Sequence, residues 1–217
     1  MSRPRLERDF YLQSAVPLAK ALLGKTLVHV TGGVAAGGII VETEAYAGRE
    51  DAACHSYKRE GPSGGHRTDV MFGPGGYAYV YLIYGMYNCF NVVANVENEP
   101  EAVLIRALEP REGIAAMRER RKTQDVKKLC GGPGKLSIAL GITREHWGMD
   151  LRGDRLFITE GQAVPANRIL VTPRINVDYA GEAALFPYRF AIRDSEFLSA
   201  RVRVRKSPPE RRVFAQE

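Results

Sequence analysis

The sequence predicts a single α+β domain, built around a curved and mostly antiparallel sheet with flanking helices. Its 217 residues suffice for one domain with one sizeable core. No internal repeat, low-complexity tract or linker divides residues 1–217 into two units. Short strand-like runs outnumber the helical segments and are spread along the chain, which is typical of this fold class.

The first part of the chain predicts a helix followed by two strands. Residues 9–23 favour a helix that carries Pro17 in its early part and is terminated by Gly24. A strand follows over residues 26–31. A pair of glycines then turns the chain, and a second strand is predicted over residues 38–46.

The middle of the chain combines a long loop with further strands. Residues 47–76 are rich in Gly, Pro, Ser and charged residues and show no periodicity, which predicts a long ordered loop. Residues 77–84 give the strongest strand signal in the chain, because tyrosine and branched residues dominate them. Gly85 ends that strand and residues 88–95 resume it, so the two predict a hairpin. Residues 102–108 predict another strand.

The last part of the chain mixes short helices and strands. Residues 112–122 favour a helix with a basic end. Residues 131–134 predict a turn, and a short helix over residues 135–140 is closed by Gly141. Further strands are predicted over residues 155–159, 168–172, 188–193 and 200–205.

Composition narrows the function classes. The net charge of +6 suits a polyanionic partner, because neutralised phosphates release counterions, although many basic proteins never contact nucleic acid. No long apolar run predicts a membrane span, and the N-terminus lacks the apolar core of a secretory signal. The three cysteines are far apart, which indicates reduced thiols in a cytoplasmic protein and gives no zinc-ligand spacing.

One strand places two carboxylates beside an aromatic ring. Residues 39–46 read Ile-Ile-Val-Glu-Thr-Glu-Ala-Tyr. Because side chains alternate along a strand, Glu42, Glu44 and Tyr46 are expected on one face. Ile40 is expected on the same face. A carboxylate beside a ring can hold a flat ligand next to a general base, but the residues alone also allow both glutamates to face solvent.

Histidine and tyrosine offer further candidate groups. His55 is one of four histidines in the chain, and an isolated histidine is more often structural than catalytic. Tyr77, Tyr79 and Tyr81 share a predicted strand face, and Tyr84 lies where the strand bends into the turn. Packing is the simpler interpretation. Rings beside a turn can also form a stacking platform worth about 1–3 kcal/mol per base, and a ring at a hairpin tip can act as a wedge between base steps.

Seven stretches carry a family resemblance by their order and spacing. They read Val-Glu-Thr-Glu-Ala-Tyr at 41–46, Asp-Ala-Ala-Cys-His-Ser at 51–56, Met-Phe-Gly-Pro-Gly at 71–75, Tyr-Val-Tyr-Leu-Ile-Tyr-Gly-Met-Tyr at 79–87, Asn-Val at 91–92, Val-Leu-Ile-Arg-Ala-Leu-Glu-Pro at 103–110 and Gly-Pro-Gly-Lys-Leu at 132–136. Together they resemble the signature of the alkyladenine (3-methyladenine) DNA glycosylases, and the resemblance covers about residues 9–195.

The resemblance implies roles for individual residues. Glu44 matches the general base that activates water, and Arg106 matches the residue that helps to hold that water. Tyr84 matches the tyrosine that intercalates into the gap left by a flipped base. The base itself is implied to lie between Tyr46 on one side and His55 and Tyr81 on the other, with Asn91 crowding the amino group of guanine.

The resemblance also implies an activity and a fold. Members are monofunctional glycosylases of base-excision repair that flip alkylated or deaminated purines out of double-stranded DNA and hydrolyse the N-glycosidic bond. Such purines include 3-methyladenine, 7-methylguanine, hypoxanthine and ethenoadenine. We expect no metal and no cofactor, a monomer, and a cytoplasmic protein that meets the nucleoid through DNA. The implied fold is shared with the C-terminal domain of methionyl-tRNA formyltransferase. The basic tail, residues 201–217, is expected either to contact DNA or to be a solvated end.

Two other function classes remain to be weighed. A non-catalytic nucleic-acid-binding module is possible for the implied fold, which occurs in a tRNA-binding domain. A small-molecule hydrolase with a glutamate base is the second. The binding module has no need for Glu44, Arg106 and two stacking faces in order, and the hydrolase leaves Tyr84 and the basic balance without explanation.

Overall fold

Eight strands form one sheet in the part of the chain that the computed structural model describes, residues 4–200. The strands are β1 (Thr26–Thr31), β2 (Val34–Tyr46), β3 (Ala78–Ile83), β4 (Tyr87–Ala94), β5 (Glu101–Glu112), β6 (Leu156–Thr159), β7 (Ile169–Thr172) and β8 (Arg189–Ile192). Their order is β3-β4-β5-β2-β1-β6, while β8 pairs with both β2 and β7. All pairings between these strands are antiparallel, which confirms the predicted sheet.

Four α-helices flank the sheet within the described residues: α1 (Arg8–Tyr11), α2 (Ala15–Ala21), α3 (Ile114–Arg121) and α4 (Pro133–Leu140). Six short 3₁₀ segments connect the elements: Gly48–Glu50, Asp69–Phe72, Val126–Lys128, Arg144–His146, Ala166–Arg168 and Asp178–Leu185. Helices and an antiparallel sheet in one unit confirm the predicted α+β class. No described helix has the length and apolar character needed to cross a membrane.

The single helix predicted over residues 9–23 is wrong, because the chain forms two helices there. Pro17 would clash with the carbonyl of Gln13 in a continuous helix, and it lacks the N–H that the helix interior needs. In the structure Pro17 lies in the first turn of α2, where a missing N–H costs little. The freed carbonyls of Tyr11 and Gln13 accept the backbone N–H of Asn95.

Several other element boundaries also differ from the prediction. Strand β2 begins four residues before the predicted residue 38, and β5 extends beyond the predicted residues 102–108. Helix α4 begins at Pro133 and not at residue 135, because proline is well suited to the first helical position. The strand predicted over residues 200–205 and the basic tail over 201–217 lie outside the described residues, apart from residue 200 itself.

The two faces of the sheet are covered differently. One face packs against α2, α3 and α4 and forms the main core, which includes Leu22, Ile105 and Leu136. The other face is covered by the long loop over residues 47–76 and by the segment Asp178–Leu185, and it forms two smaller apolar clusters. The candidate functional residues lie on this second face.

A pair of bulges in the centre of the sheet changes the predicted strand parity. The register between β2 and β5 shifts on both sides of Glu42, which leaves one extra residue on each strand, Val41 and Arg106. Ile40 therefore packs in the main core together with Ala45, and its predicted position on the face of Glu42 is wrong. Bulges re-aim side chains, and here they turn Arg106 towards the glutamates of β2.

Candidate active site

A cavity opens on the face of the sheet that the helices leave free. Strands β2, β3, β4 and β5 form its floor, and the loop after β2 and the segment Asp178–Leu185 form its rim. The lining side chains are mostly aromatic or apolar: Tyr46, Ala53, Cys54, His55, Met71, Tyr79, Tyr81, Asn91, Ala102 and Tyr179. Such a cavity suits a flat, largely apolar ligand with a few polar edges.

The aromatic residues of the wall hold one another in place. Tyr79 and Tyr81 have ring centroids 5.4 Å apart, which confirms that they share a face of β3. His55 is T-shaped to Tyr81 at 4.6 Å, and its Nδ1 lies 2.8 Å from the hydroxyl of Tyr79. Tyr79 is buried in an apolar cluster, and Tyr79, Tyr81 and His55 all contribute to the cavity lining.

The ionisable groups of the wall are neutral at physiological pH. Burial, followed by the positive charge of Arg67, lowers the pKa of His55 to about 4. Burial also raises the pKa of Tyr46 and Tyr81 well above the ordinary value for tyrosine. The cavity therefore presents uncharged rings, and electron-rich neutral rings attract a cationic aromatic ligand through cation–π interaction.

Glu44 is fully buried behind the cavity, so the interpretation in which it faces solvent is wrong. Its Oε2 accepts the hydroxyl of Tyr46 at 3.1 Å and Nη1 of Arg106 at 3.0 Å. Its Oε1 accepts the backbone N–H of Ile175 at 2.8 Å. A carboxylate offers about four acceptor positions, and donors from Tyr46, Arg106 and Ile175 occupy three of them.

Arg106 joins the two glutamates of β2. Its Nη1 bonds Glu44, and its Nε bonds Oε1 of Glu42 at 3.1 Å. Glu42, also fully buried, further accepts Nε of Arg189 at 2.8 Å and the N–H and hydroxyl of Ser199. Burial opposes the charge of Arg106, but the neighbouring Glu44 and Glu42 hold its pKa above the usual value. The guanidinium thus stays charged and fixed beside Glu44.

The structure brings all the cavity residues named from the sequence together, but places Glu44 and Arg106 outside the cavity lining. Tyr46 connects the two parts, because its ring lines the cavity and its hydroxyl contacts Glu44. Arg106 also lines a neighbouring open groove, together with Tyr87 and Lys135. The carboxylate therefore lies between an aromatic cavity and a groove that carries positive charge.

Asn91 forms part of the cavity floor. It is 3% exposed, and its side-chain amide donates to the carbonyl of Tyr79 at 2.9 Å. That bond fixes the orientation of the amide in the cavity. A fixed polar group on the floor limits which edge of a flat ligand can enter.

The β3–β4 hairpin carries the exposed aromatic residue named from the sequence. Ile83 pairs with Tyr87, so Tyr84, Gly85 and Met86 form the turn. Tyr84 is 74% exposed and has a φ of +53°, a left-handed conformation that a bulky residue rarely adopts. Strained, exposed residues of this kind concentrate at functional sites.

Sequence reasoning missed three residues of the site. Arg174 bonds Asp51 at the rim, and Tyr179, 72% exposed, lines the cavity mouth. Asp51 falls within a matching stretch, but nothing in that stretch indicates its partner, 123 residues away. Arg174 and Tyr179 lie outside the matching stretches, so no sequence pattern identified them.

Comparison with known proteins agrees with the family resemblance of the sequence motifs. A family model described as methylpurine-DNA glycosylase matches residues 9–196. A protein of Bacillus cytotoxicus, provisionally named as a 3-methyladenine DNA glycosylase, is 48% identical over 201 residues, which cover 88% of this chain and 97% of the relative. A protein of Alkaliphilus oremlandii with the same provisional name is 45% identical over 203 residues, covering 90% and 98% of the two chains.

Proposed function

The chain belongs to the methylpurine-DNA glycosylase family, and we propose that it hydrolyses the N-glycosidic bond of alkylated and deaminated purines that are flipped out of duplex DNA. DNA is the substrate that the family implies, and repair of alkylated bases is the corresponding process. The observation that carries the proposal is the buried carboxylate of Glu44, held by Tyr46 and Arg106, next to a neutral aromatic cavity.

The base enters the aromatic cavity. Tyr46 stacks on one face of the purine, and His55 and Tyr81 cover the other, while the backbone N–H of His55 faces the base edge. Stacking offsets the few kcal/mol that extrusion costs, a cost that is smaller for damaged or mispaired bases. The neutral state of His55 supports this assignment, because a charged imidazolium would repel a cationic 3-methyladenine.

The sugar lies between the cavity and the neighbouring groove, beside Glu44. A water molecule hydrogen-bonded to Glu44 and held by Arg106 attacks C1′ of the sugar, and the water proton passes to the carboxylate. The C1′–N bond breaks and its electron pair leaves with the base, so an abasic site remains. The negative charge of Glu44 also stabilises the developing oxocarbenium-like sugar.

Two residues govern which nucleotide is extruded. Tyr84, at the tip of the hairpin, fills the gap that the flipped nucleotide leaves, as apolar wedges do at other base steps. Asn91 places a fixed amide on the cavity floor, where it crowds the amino group of an unmodified guanine.

Base release from defined duplexes tests the proposal. The purified protein is incubated with duplexes carrying a single 3-methyladenine analogue, 7-methylguanine, hypoxanthine or ethenoadenine, and free base and abasic sites are quantified. Wild-type protein is expected to release at least one of these bases, and Glu44→Gln is expected to bind the same duplex without releasing hypoxanthine. Release by the variant at the wild-type rate contradicts the role of Glu44.

A matched control separates loss of the base from loss of any partly buried carboxylate. Glu101 also lies on the sheet, where it accepts the N–H of Ala15 and the side-chain amide of Asn95, and it does not line the cavity. Glu101→Gln is expected to retain excision. No release of any of the four bases by wild-type protein, together with binding to structured RNA, supports a non-catalytic binding module instead.

A further inference from the structure

A buried ion pair at the cavity rim has no part in the chemistry described above. The side chains of Arg174 and Asp51 are 0% and 1% exposed. Both terminal nitrogens of Arg174 donate to Asp51, and the bond from Nη2 to Oδ1 measures 2.8 Å. This two-pronged geometry holds the planar guanidinium in one orientation.

Asp51 uses the same carboxylate to shape the cavity loop. Its Oδ2 accepts the backbone N–H of Ala47, and its Oδ1 accepts that of Ala53, both at 3.0 Å. The carboxylate therefore joins Ala47, at the start of the loop over residues 47–76, to Ala53, which lies two residues before His55. Every oxygen of the carboxylate is occupied by both a backbone donor and the guanidinium.

Arg174 extends the connection to both sides of the cavity. Its Nη1 also donates to the carbonyl of Ala45 on β2, and its Nη2 donates to the carbonyl of Ala183 in the rim segment, each at 2.9 Å. The guanidinium carbon lies 4.9 Å from the centroid of the Tyr46 ring. The next residue, Ile175, supplies the N–H that holds Oε1 of Glu44.

Stability alone does not account for this arrangement. A buried ion pair is a weak stabiliser, and apolar residues of similar volume are often as good or better. The Nε of Arg174 is buried without a hydrogen-bond partner among the described residues, which adds a cost. Buried polar groups of this kind are expected where a fixed geometry matters more than a gain in stability.

We propose that Asp51 and Arg174 are positioning residues, which lock the ring of Tyr46, the loop that carries His55 and the Ile175 N–H that orients Glu44 into one geometry. This inference rests on the proposed function, since it assigns the orientation of the same general base. It also predicts a dependence on the lesion. A cationic base leaves readily, whereas neutral hypoxanthine depends more on a well-oriented Glu44.

Single-turnover excision on two lesions tests the proposal with Arg174→Lys. Lysine keeps the charge but cannot bond Asp51, Ala45 and Ala183 together, because it lacks the planar fork. We expect the rate on hypoxanthine to fall about 10- to 100-fold, part of the about 10²- to 10⁴-fold effect of a general base. We expect the rate on cationic 7-methylguanine to fall less than about threefold, with affinity for a duplex containing an abasic-site analogue nearly unchanged.

Two further variants make the outcome unambiguous, with rates expressed per molecule that binds the duplex. Asp51→Asn keeps the shape of the side chain and is expected to show the same lesion dependence. Asp150→Asn is the control, because it breaks the partly buried ion pair between Asp150 and Arg8. Neither residue of that pair lines the cavity. Its rates on both lesions are expected to equal those of the wild type.

Three results overturn the inference, because each would leave the pair with a role in folding alone. The first is an equal fall in the excision rates of Arg174→Lys on both lesions, and the second is excision rates of Arg174→Lys that match those of Asp150→Asn. The third is loss of duplex binding by both Arg174→Lys and Asp51→Asn. Glu44→Gln is measured in parallel. Wild-type excision by that variant overturns the proposed function itself, whereas loss of excision by Glu44→Gln with wild-type rates for Arg174→Lys overturns only the role of the pair.

Discussion

The cavity side and the tip of the β3–β4 hairpin belong to one sheet but differ in how far their key side chains are buried. Glu44 is fully buried and accepts three hydrogen bonds, and its neighbour Arg106 is held by two carboxylates. Tyr84 is 74% exposed and adopts a left-handed backbone conformation at the end of a two-stranded ribbon. The first region is stabilised by its partners, and the second presents an exposed ring, which we propose contacts DNA.

We propose that this difference separates chemistry from recognition. A general base needs fixed geometry and exclusion of bulk water, so changes there are expected to alter both the stability and the rate. A wedge needs exposure, so changes there are expected to alter DNA binding without a loss of stability. The variants below test whether the two regions are independent in this way.

The largest expected effect is on stability, at the cavity side. Arg106→Met removes the cation between Glu42 and Glu44 and leaves two buried carboxylates without that partner. Removing one partner of a buried pair costs about 3–5 kcal/mol, so urea denaturation is expected to show a loss of that size. Arg111→Met is the control on the same strand, because Arg111 pairs with Glu109 at the surface and such pairs contribute about 0–1 kcal/mol. Equal losses for the two variants would show that the buried position of Arg106 does not set its contribution to stability.

The next effect is on DNA binding, at the hairpin tip. Tyr84→Gly removes the wedge and is expected to weaken affinity for lesion-containing duplex by about 1–3 kcal/mol, the range measured for base stacking. Its unfolding free energy is expected to be unchanged or slightly higher, because glycine adopts positive φ readily. Fluorescence anisotropy and urea denaturation measure the two quantities. Val34→Ala, at the exposed end of β2 in the β1–β2 hairpin, is the control and is expected to bind as the wild type does.

A third expected effect is a pH dependence of stability that belongs to the cavity. Burial lowers the pKa of His55 from 6.5 to about 4, so the unfolded chain binds more protons than the folded one between these values. The stability contribution of neutral His55 is complete above pH 6.5 and is lost as the pH falls towards 4. Thermal unfolding across this range is expected to show a smaller acid-induced decline for His55→Gln than for the wild type. A Tyr84→Gly variant is expected to keep the wild-type decline, and equal declines for all three proteins refute the assignment to His55.

Because side chains alternate regularly along strands, most of the fold and the aromatic wall of the cavity could be predicted from the sequence. Tyr79 and Tyr81 occupy the predicted face of β3, and the hairpin turns at Gly85 as predicted. The prediction failed where a proline or a bulge interrupted the regular pattern of a helix or a strand. Pro17 divided the first helix, and the bulges at Val41 and Arg106 moved Ile40 to the main core.

The burial of Glu44 was beyond sequence reasoning, because alternation alone does not say which face is covered. Its cover comes from distant parts of the chain, including Ile175 and the loop over residues 47–76. The bond between Asp51 and Arg174 joins residues 123 positions apart, and no local pattern encodes such a pairing. The family resemblance supplied residue identities, whereas the geometry that orients them required the structure.

The separation of chemistry from recognition is tested most directly by comparing Glu44→Gln with Tyr84→Gly on one hypoxanthine duplex, with affinity and single-turnover excision measured for each. Glu44→Gln is expected to slow excision by at least about 100-fold, as expected for loss of a general base, while its affinity stays close to that of the wild type. Tyr84→Gly is expected to weaken affinity and to slow excision far less than Glu44→Gln does. Excision by Glu44→Gln at the wild-type rate, or proportional losses of affinity and rate in both variants, would show that the two regions do not divide the work in this way.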